Sequence, residues 1–550
     1  MSKTLRKIGS FVSRFLREET NLWLLVILAF VFILRLPSLV EPYWYGDEGI
    51  YLAVAQALRR GAVLYRDIWD NKTPLIYLIY AFRPTLPWAK FSATVCVLGT
   101  TFVSYLLAKL ILTKTHGADT ETRGFVISPL RNLHATFGKM SSETWSLLAA
   151  GLVGIFLSLP LLEGTIANAE LYFTFPIALG AYLLYRFLNA SPDSVGAKPA
   201  RRGYPLSTPV AIGLLASCAF LLKVPAIFDF LGLFLAVLII RISEEKNFRK
   251  AVSLLVPFFL TVFLAFIVPL LFFLFYFFFY GALPDFITAA FSQNASYVAV
   301  GSGDFSKLTN PLFLKALLLL FALLILLFLF LKRRITKGLL FLAFWFGFSL
   351  YGALLSNRAY MHYLLQVVPP AVFLLVYLLF TFRRHSPLLL AFILLLFAVG
   401  RMFSHAFALN TWDYYRNYLD YVGNHKTRTD YISFFDSRTP TSYRVANFLK
   451  LATKPTDKLF VWGDASFIYV LSDRAPAVKF IQAHHLSTVN RINYSLVISK
   501  LQETRPKYIL VTEPVKFPFP ELETLLAANY LHTGNIGNID IYRAKTASIH

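Results

Sequence analysis

Long apolar runs recur along the chain between residues 22 and 403, separated by short polar segments. They fall at 22–39, 88–112, 145–162, 171–188, 209–222, 226–240, 251–280, 311–331, 338–355, 363–382 and 387–403. A helix of about 20 apolar residues crosses a hydrocarbon core of roughly 30 Å. These runs are apolar on every side, which suits a segment surrounded by lipid or by other helices. The pattern predicts a polytopic α-helical membrane protein with about eleven transmembrane helices. The run at 74–82 is too short to cross and is expected to pack near a membrane surface.

The polar segments carry an orientation signal. With the N-terminus placed inside, alternate loops hold Lys114, Arg123, Arg131 and Lys139, then Arg186, Lys198, Arg201 and Arg202. The next inside loops hold Arg241, Lys246, Arg249 and Lys250, then Lys332, Arg333, Arg334 and Lys337, then Arg383 and Arg384. The opposite loops are poor in Lys and Arg apart from the first, which is the positive-inside asymmetry. It predicts a cytoplasmic N-terminus, an extracytoplasmic C-terminus and a multi-pass position in the plasma (inner) membrane. The segment 190–207, rich in Pro, Ser, Gly and Ala, reads as a flexible inside loop. The basic stretch before residue 22 has no small-residue cleavage site after it, so an uncleaved first span is expected.

After residue 410 the pattern changes. Residues 459–463 and 508–513 read as strands, and 442–451, 493–503 and 521–529 as helices, suggesting a small α/β domain. No phosphate loop or dinucleotide fingerprint lies in it.

Composition sharpens this picture. Of the 550 residues 57% are hydrophobic and 15% charged, far from the soluble average, and mean hydropathy is +0.58. The net charge of +23 would suggest nucleic acid in a soluble protein. Here the cations belong to the loops, and no basic helix or stacking platform is present, so nucleic acid is set aside. Cys96 and Cys218 both lie in apolar runs, which excludes a disulfide framework and a thiolate metal site in the polar parts.

Candidate chemistry gathers in the first outer loop, residues 41–87. Asp47 and Glu48 follow Gly46 at the start of a helical pattern whose apolar face holds Ile50, Val54, Ala57 and Leu58. Asp47 reads either as a helix N-cap or as a general base whose pKa nearby aromatics would tune. Neighbouring residues on a helix point apart, so the two carboxylates are not expected to face one bond as a glycosidase pair does. Further on come Asp67, Asp70, Asn71, Lys72 and Pro74; Lys72 could hold a phosphate or simply reach for water. At 356–370, Arg358, Tyr360, His362 and Tyr363 lie within one or two turns. A guanidinium and an imidazole at the bilayer edge suit a lipid phosphate, though an aromatic belt with a snorkelling arginine looks the same in sequence. Asn168 and Glu170 at another outer turn could line the same cavity, with Lys223 a further cation.

The order of these features resembles a known family: GDE after the first span, DNKTPL before a short apolar run, then IANAELYF, LLKVPA and RAYMHYLLQVVPP. It is similar to the GT-C superfamily of membrane glycosyltransferases, in particular the prokaryotic relatives of protein O-mannosyltransferases and lipid A aminoarabinose transferases. The resemblance covers roughly residues 20–410. It implies a GT-C-like unit over 1–409 and an extracytoplasmic α/β domain over 410–550, similar to that family's variable outer domains. It further implies inverting transfer of a hexosyl or pentosyl group from a polyprenyl-phosphate sugar donor to a lipid, glycan or protein acceptor. Asp47 would be the base, and Glu48, Lys72, Glu170, Lys223, Arg358, Tyr360 and His362 would bind substrate. The family often has two prolines where Thr73 and Pro74 stand here, and the inside segment 113–143 has no counterpart in it. No metal ligand set is expected, and a divalent cation stays open as a cofactor. A transporter or lipid flippase is the rival, disfavoured by the absence of an internal repeat with paired broken helices. A transferase with a metal-rich outer domain would need ligands around His484 and His485 that the sequence does not show.

Overall fold

The computed structural model describes residues 19–113, 140–190, 204–245, 247–294, 310–356, 358, 360–381, 409–489, 493–515 and 517–545. The apolar runs form helices α1 (Glu19–Arg35), α4 (Leu86–Leu112), α5 (Ser142–Phe156), α6 (Ala169–Asn189), α7 (Ser207–Leu222) and α8 (Ile227–Glu244). They continue as α9 (Phe248–Phe279), α10 (Pro311–Leu331), α11 (Lys337–Ala353) and α12 (Val368–Thr381). The segment 41–87 contributes α2 (Gly46–Arg59) and α3 (Leu75–Phe82). Among the described residues, six stretches are long and apolar enough to cross a membrane, and four apolar helices are shorter. The chain is a multi-pass membrane protein. The run at 387–403, the segment 191–203 and residues 114–139 of the long inside segment lie outside the described residues.

Side-chain caps start several of these helices. Ser141, Asn247, Asn310 and Thr336 each accept a hydrogen bond from a first-turn amide. Prolines end others. The run expected at 145–162 stops as a helix at Phe156, and Pro160 opens a short 3-10 turn, Pro160–Leu162. Likewise the run expected at 363–382 begins as a 3-10 turn, Met361–Gln366, before α12. Both departures bring polar residues to the same end of the bundle. Helices α9 and α10 expose rows of Phe and Leu, including Phe272, Phe279, Leu318 and Phe321, which lipid covers in the membrane.

The C-terminal part contains α13 (Thr411–Val422), α14 (Arg428–Ser433), α15 (Thr439–Ala452), β1 (Lys458–Trp462), α16 (Phe467–Ser472) and β2 (Ala475–Pro476). Then follow α17 (Ala483–Val489), α18 (Asn493–Thr504), β3 (Tyr508–Thr512), α19 (Pro520–Asn529), β4 (Tyr530–Ile536) and β5 (Ile539–Ala544). The sheet order is β2-β1-β3-β5-β4. Strands β2, β1 and β3 are parallel, while β5 runs antiparallel to β3 and β4. Strands β1 and β3 are buried on both faces, as central parallel strands must be.

This domain is joined to the segment 41–87 along its length. Tyr443 Oη accepts from Tyr43 N (3.1 Å), and Tyr414 Oη donates to Glu41 Oε1 (2.6 Å). Trp69 N donates to Lys479 O (2.9 Å), and Arg60 pairs with Asp473 (2.5 Å). Helix α2 packs on α16 at Gly49, where an added Cβ would stand 2.9 Å from Ser466 Oγ and 3.1 Å from Phe467 N. Only a glycine lets the two helices approach so closely.

Candidate active site

Helix α2 begins at Gly46 with Tyr45 as its N-cap residue, so Asp47 stands inside the first turn rather than at the cap. The helix N-terminus favours a carboxylate there. Tyr51 Oη donates to Asp47 Oδ2 at 3.4 Å, a weak bond, and Asp47 is partly exposed. One residue on, the helix turns Glu48 the other way. Glu48 is 2% exposed; its Oε1 accepts from Ala167 N (2.6 Å) and pairs with Lys90 Nζ (2.7 Å). Lys90 also reaches Glu41 Oε2 (2.7 Å) and Thr165 O (2.9 Å). Burial pushes the Glu48 carboxyl above its ordinary range, with Lys90 pulling against it. Glu48, expected to bind substrate, joins α2 to α4 and to the turn before α6.

The turn at Asp70–Lys72 is held from several sides. Tyr65 Oη donates to Lys72 O (2.7 Å), and Lys72 N donates to Tyr77 Oη (3.1 Å). Tyr77 Oη in turn donates to Asp70 Oδ2 (2.6 Å), and Asn294 Nδ2 donates to Asn71 O (2.7 Å). With its backbone fixed at both N–H and C=O, Lys72 presents its ammonium in a set direction, beside Asn71 Oδ1 (3.0 Å). Burial works against that charge, but Asp47 and Asp70 overcome it and hold the Lys72 ammonium above its ordinary value.

Glu170 opens α6 and forms a short ion pair with Lys223, the residue closing α7. Lys223 Nζ also lies 4.3 Å from the centre of the Tyr363 ring. Asp47 and Lys72 are both near enough to act on Lys223 electrostatically. His362 is buried; its Nδ1 is 2.6 Å from Glu163 Oε2 and 3.3 Å from Tyr45 Oη, and Tyr45 Oη donates to Glu163 Oε2 (2.7 Å). Burial, with Asp47 and Glu163, drives the Tyr45 phenol far above its ordinary pKa, so it stays a neutral donor. Tyr360 is exposed and stacks on His362 with ring centres 5.7 Å apart. Arg358 is exposed, and its N donates to Ser356 Oγ (3.4 Å).

The structure therefore gathers Asp47, Lys72, Glu170, Lys223 and His362 around one place, at the end of the bundle covered by the C-terminal domain. Tyr360 stands at the rim and Arg358 in the solvent-exposed part. Among the described residues no three of His, Cys, Asp and Glu come together to hold a metal ion. The arrangement sets a partly exposed carboxylate beside two directed ammonium groups, which suits removing a proton near a departing anion.

ArnT from Cupriavidus metallidurans, solved bound to undecaprenyl phosphate, superposes with a TM-score of 0.54 at 13% identity, over 96% of this chain and 98% of that one. The apo form of the same protein gives 0.52 at 12% identity, over 96% and 98%. ArnT belongs to the GT-C superfamily. This chain has the GT-C fold. The archaeal oligosaccharyltransferase AglB from Archaeoglobus fulgidus, solved with an inhibitory peptide and a dolichol-phosphate, gives 0.44 at 12% identity, over 96% and 75%. Residues 441–545 match the family model of the Ccs4 C-terminal domain. No curated protein matches the sequence.

Within the GT-C frame three contributors were not legible as site residues. Glu163 sits at φ +58° just after Leu162, where a left-handed residue reverses the chain and aims its carboxylate at His362. A charged residue followed by glycine at the end of an apolar run, as in LLEGT, was the available signal. Lys90 carries no local signal, because its partners Glu41 and Glu48 lie in another segment. His485 lies 3.0 Å from Asp70 Oδ1, fully buried between the domain and the loop. Burial, reinforced by His484, lowers the His485 pKa and keeps its ring neutral.

Proposed function

We propose that this protein is a glycosyltransferase that takes a hexosyl or pentosyl group from a polyprenyl-phosphate carrier and gives it, with inversion, to a lipid, glycan or protein acceptor. The observation that carries the reading is Asp47 at the head of α2, beside Lys72 and Lys223, in a GT-C frame. The undecaprenyl phosphate bound by ArnT, which shares this fold, supports a lipid-phosphate donor. Asp47 takes the proton of the acceptor hydroxyl as its oxygen attacks the anomeric carbon. The bond from that carbon to the phosphate oxygen breaks on the opposite face, and its electron pair leaves with the phosphate. A phosphate leaving group needs cations rather than a general acid, and Lys72 and Lys223 are those cations. His362, oriented by Glu163 and Tyr45, shapes the wall beside Lys223 and Tyr363.

The test is sugar release from defined polyprenyl-phosphate hexoses and pentoses by the purified protein in nanodiscs. Absence of release from every such donor, with a native unfolding profile, removes the reading. The same assay ranks the cations. Lys72→Ala is expected to raise the apparent KM for the donor about tenfold, the scale of one lost charge-assisted contact. Arg358→Ala should raise it less, because an exposed ionic contact is worth little. The reverse order would move the phosphate to the rim.

The same reading sets the reaction outside the cytoplasm. A reporter fused after His550 is expected to face outside, and one inserted within 190–207 the cytoplasm. Both on one side would give the span count the wrong parity and separate the C-terminal domain from the cytoplasm-free side assumed for Asp47.

A further inference from the structure

The sheet of the C-terminal domain contains a topological switch point. From β1 the chain leaves through α16 towards β2 on one side, while β3 lies on the other side of β1 and continues towards β5. In open α/β sheets the crevice outside the carboxyl ends of strands at such a point is where ligands bind. Here a cavity of about 210 Å³ lies there, lined by Gly463 and Asp464 after β1 and by Thr512 and Glu513 at the end of β3. Its opposite wall is Gly46, the first residue of α2. The domain's crevice therefore reaches the first residue of α2, one position before Asp47, and the Gly49–Ser466 contact holds the domain against that helix.

The lining is specific in chemistry. Thr439, 1% exposed, lines the cavity with its Oγ1 buried and without a hydrogen-bond partner. Buried hydroxyls are rarely left so, and this one calls for a bound group. The carboxylates of Asp436, Asp464 and Glu513 line the same space, whereas the guanidinium of Arg438 is already held by Asp436 at 2.6 and 3.0 Å. Such a wall repels a phosphate. The three carboxylates also fail to converge as a metal site would; Asp436 is paired with Arg438, and Asp464 and Glu513 stand apart, each with remaining acceptor capacity for a donor. Trp44 and Phe517 supply partly exposed aromatic surface. Separated acceptors with an apolar face match the hydroxyls and C–H face of a sugar ring. The volume is below the roughly 300–1,000 Å³ of pockets for drug-sized ligands, so it takes one ring rather than a chain.

We infer that this crevice binds one sugar ring of a neutral glycan and holds it at the head of α2. That the glycan is the acceptor rests on the glycosyltransferase reading; the binding does not. The full-length protein in nanodiscs is probed by saturation-transfer NMR with methyl α-mannoside, methyl β-glucoside and methyl β-galactoside, and separately with inorganic phosphate and ethanolamine. At least one glycoside is expected to receive saturation. Its binding should weaken about fivefold or more in Thr439→Val and Asp464→Asn, the scale of one lost hydrogen bond. Unfolding midpoints accompany each variant, and the exposed Glu513→Gln replaces any variant that is unstable. No saturation of any glycoside, equal binding in the crevice variants, or binding of phosphate or ethanolamine alone overturns the inference. Glycoside binding that the crevice variants abolish, in a protein that releases no sugar from lipid donors, keeps the crevice and discards the transferase.

Discussion

Asp47→Asn is expected to give a folded, inserted protein whose sugar transfer is slower by about 10²-fold or more, the usual contribution of a general base. The fold should survive because asparagine keeps the shape of the side chain and the bond lost is a weak one, 3.4 Å from Tyr51 Oη. The cap of α2 is untouched, since Tyr45 and not Asp47 holds that position. The apparent KM for the donor should change little, because Lys72 and Lys223 remain. Asp47→Glu keeps the charge but moves it by one methylene, so it should recover only part of the rate. Turnover within a few-fold of the parent in purified Asp47→Asn would dismiss Asp47 as the base. A rate loss accompanied by an equal rise in donor KM would instead make it an electrostatic partner of Lys72.

Lys90→Met is expected to be the most destabilising single change at the site, by about 3–5 kcal/mol, the cost of stranding buried charge. Lys90 is 0% exposed and is the cation shared by Glu41 and Glu48. Without it both carboxylates keep only neutral donors: Tyr414 Oη and Trp44 Nε1 for Glu41, and Ala167 N for Glu48. Glu48→Gln added to Lys90→Met should restore part of the loss, because one stranded charge is removed. Denaturant unfolding in detergent measures both, and activity at low temperature gives a second readout. A Lys90→Met protein as stable as the parent would mean that water or a proton reaches this cluster. Because the cluster joins α2 to α4, loosening it should also lower activity through Asp47 without changing which donors are used.

The membrane architecture was legible because it rests on a local property. A run of some twenty apolar residues has one low-energy environment, and only a helix satisfies its backbone there. The helix of α2 and strands β1 and β3 were legible for similar reasons, each being written within one short window. Strands β4 and β5 were not. Their segment, YLHTGNIGNIDIYRA, is polar and glycine-containing, and it is a hairpin because β3 offers it an edge: Leu510 faces Ile541 across that pairing. The breaks at Pro160 and before Val368 were also missed, since apolar residues continue through both.

For the site, the residue types and their nearness to the membrane edge could be read from sequence, and the division of labour could not. Adjacent carboxylates in GDE look alike in one dimension. The 3.6-residue turn of α2 sends Asp47 towards Lys72 and buries Glu48 against Lys90. Partners such as Tyr414 for Glu41, 373 residues away, or Glu163 for His362, 199 away, follow from packing between separate segments. Which segments enter the membrane, and which charged residues stay at its edge, could be read along the chain, because transfer free energy depends on local composition alone. Only the tertiary structure decided which of those charges are neutralised in structural pairs and which remain partly exposed for chemistry, because pairing energy depends on distance and burial, and both arise from contacts between distant parts of the chain.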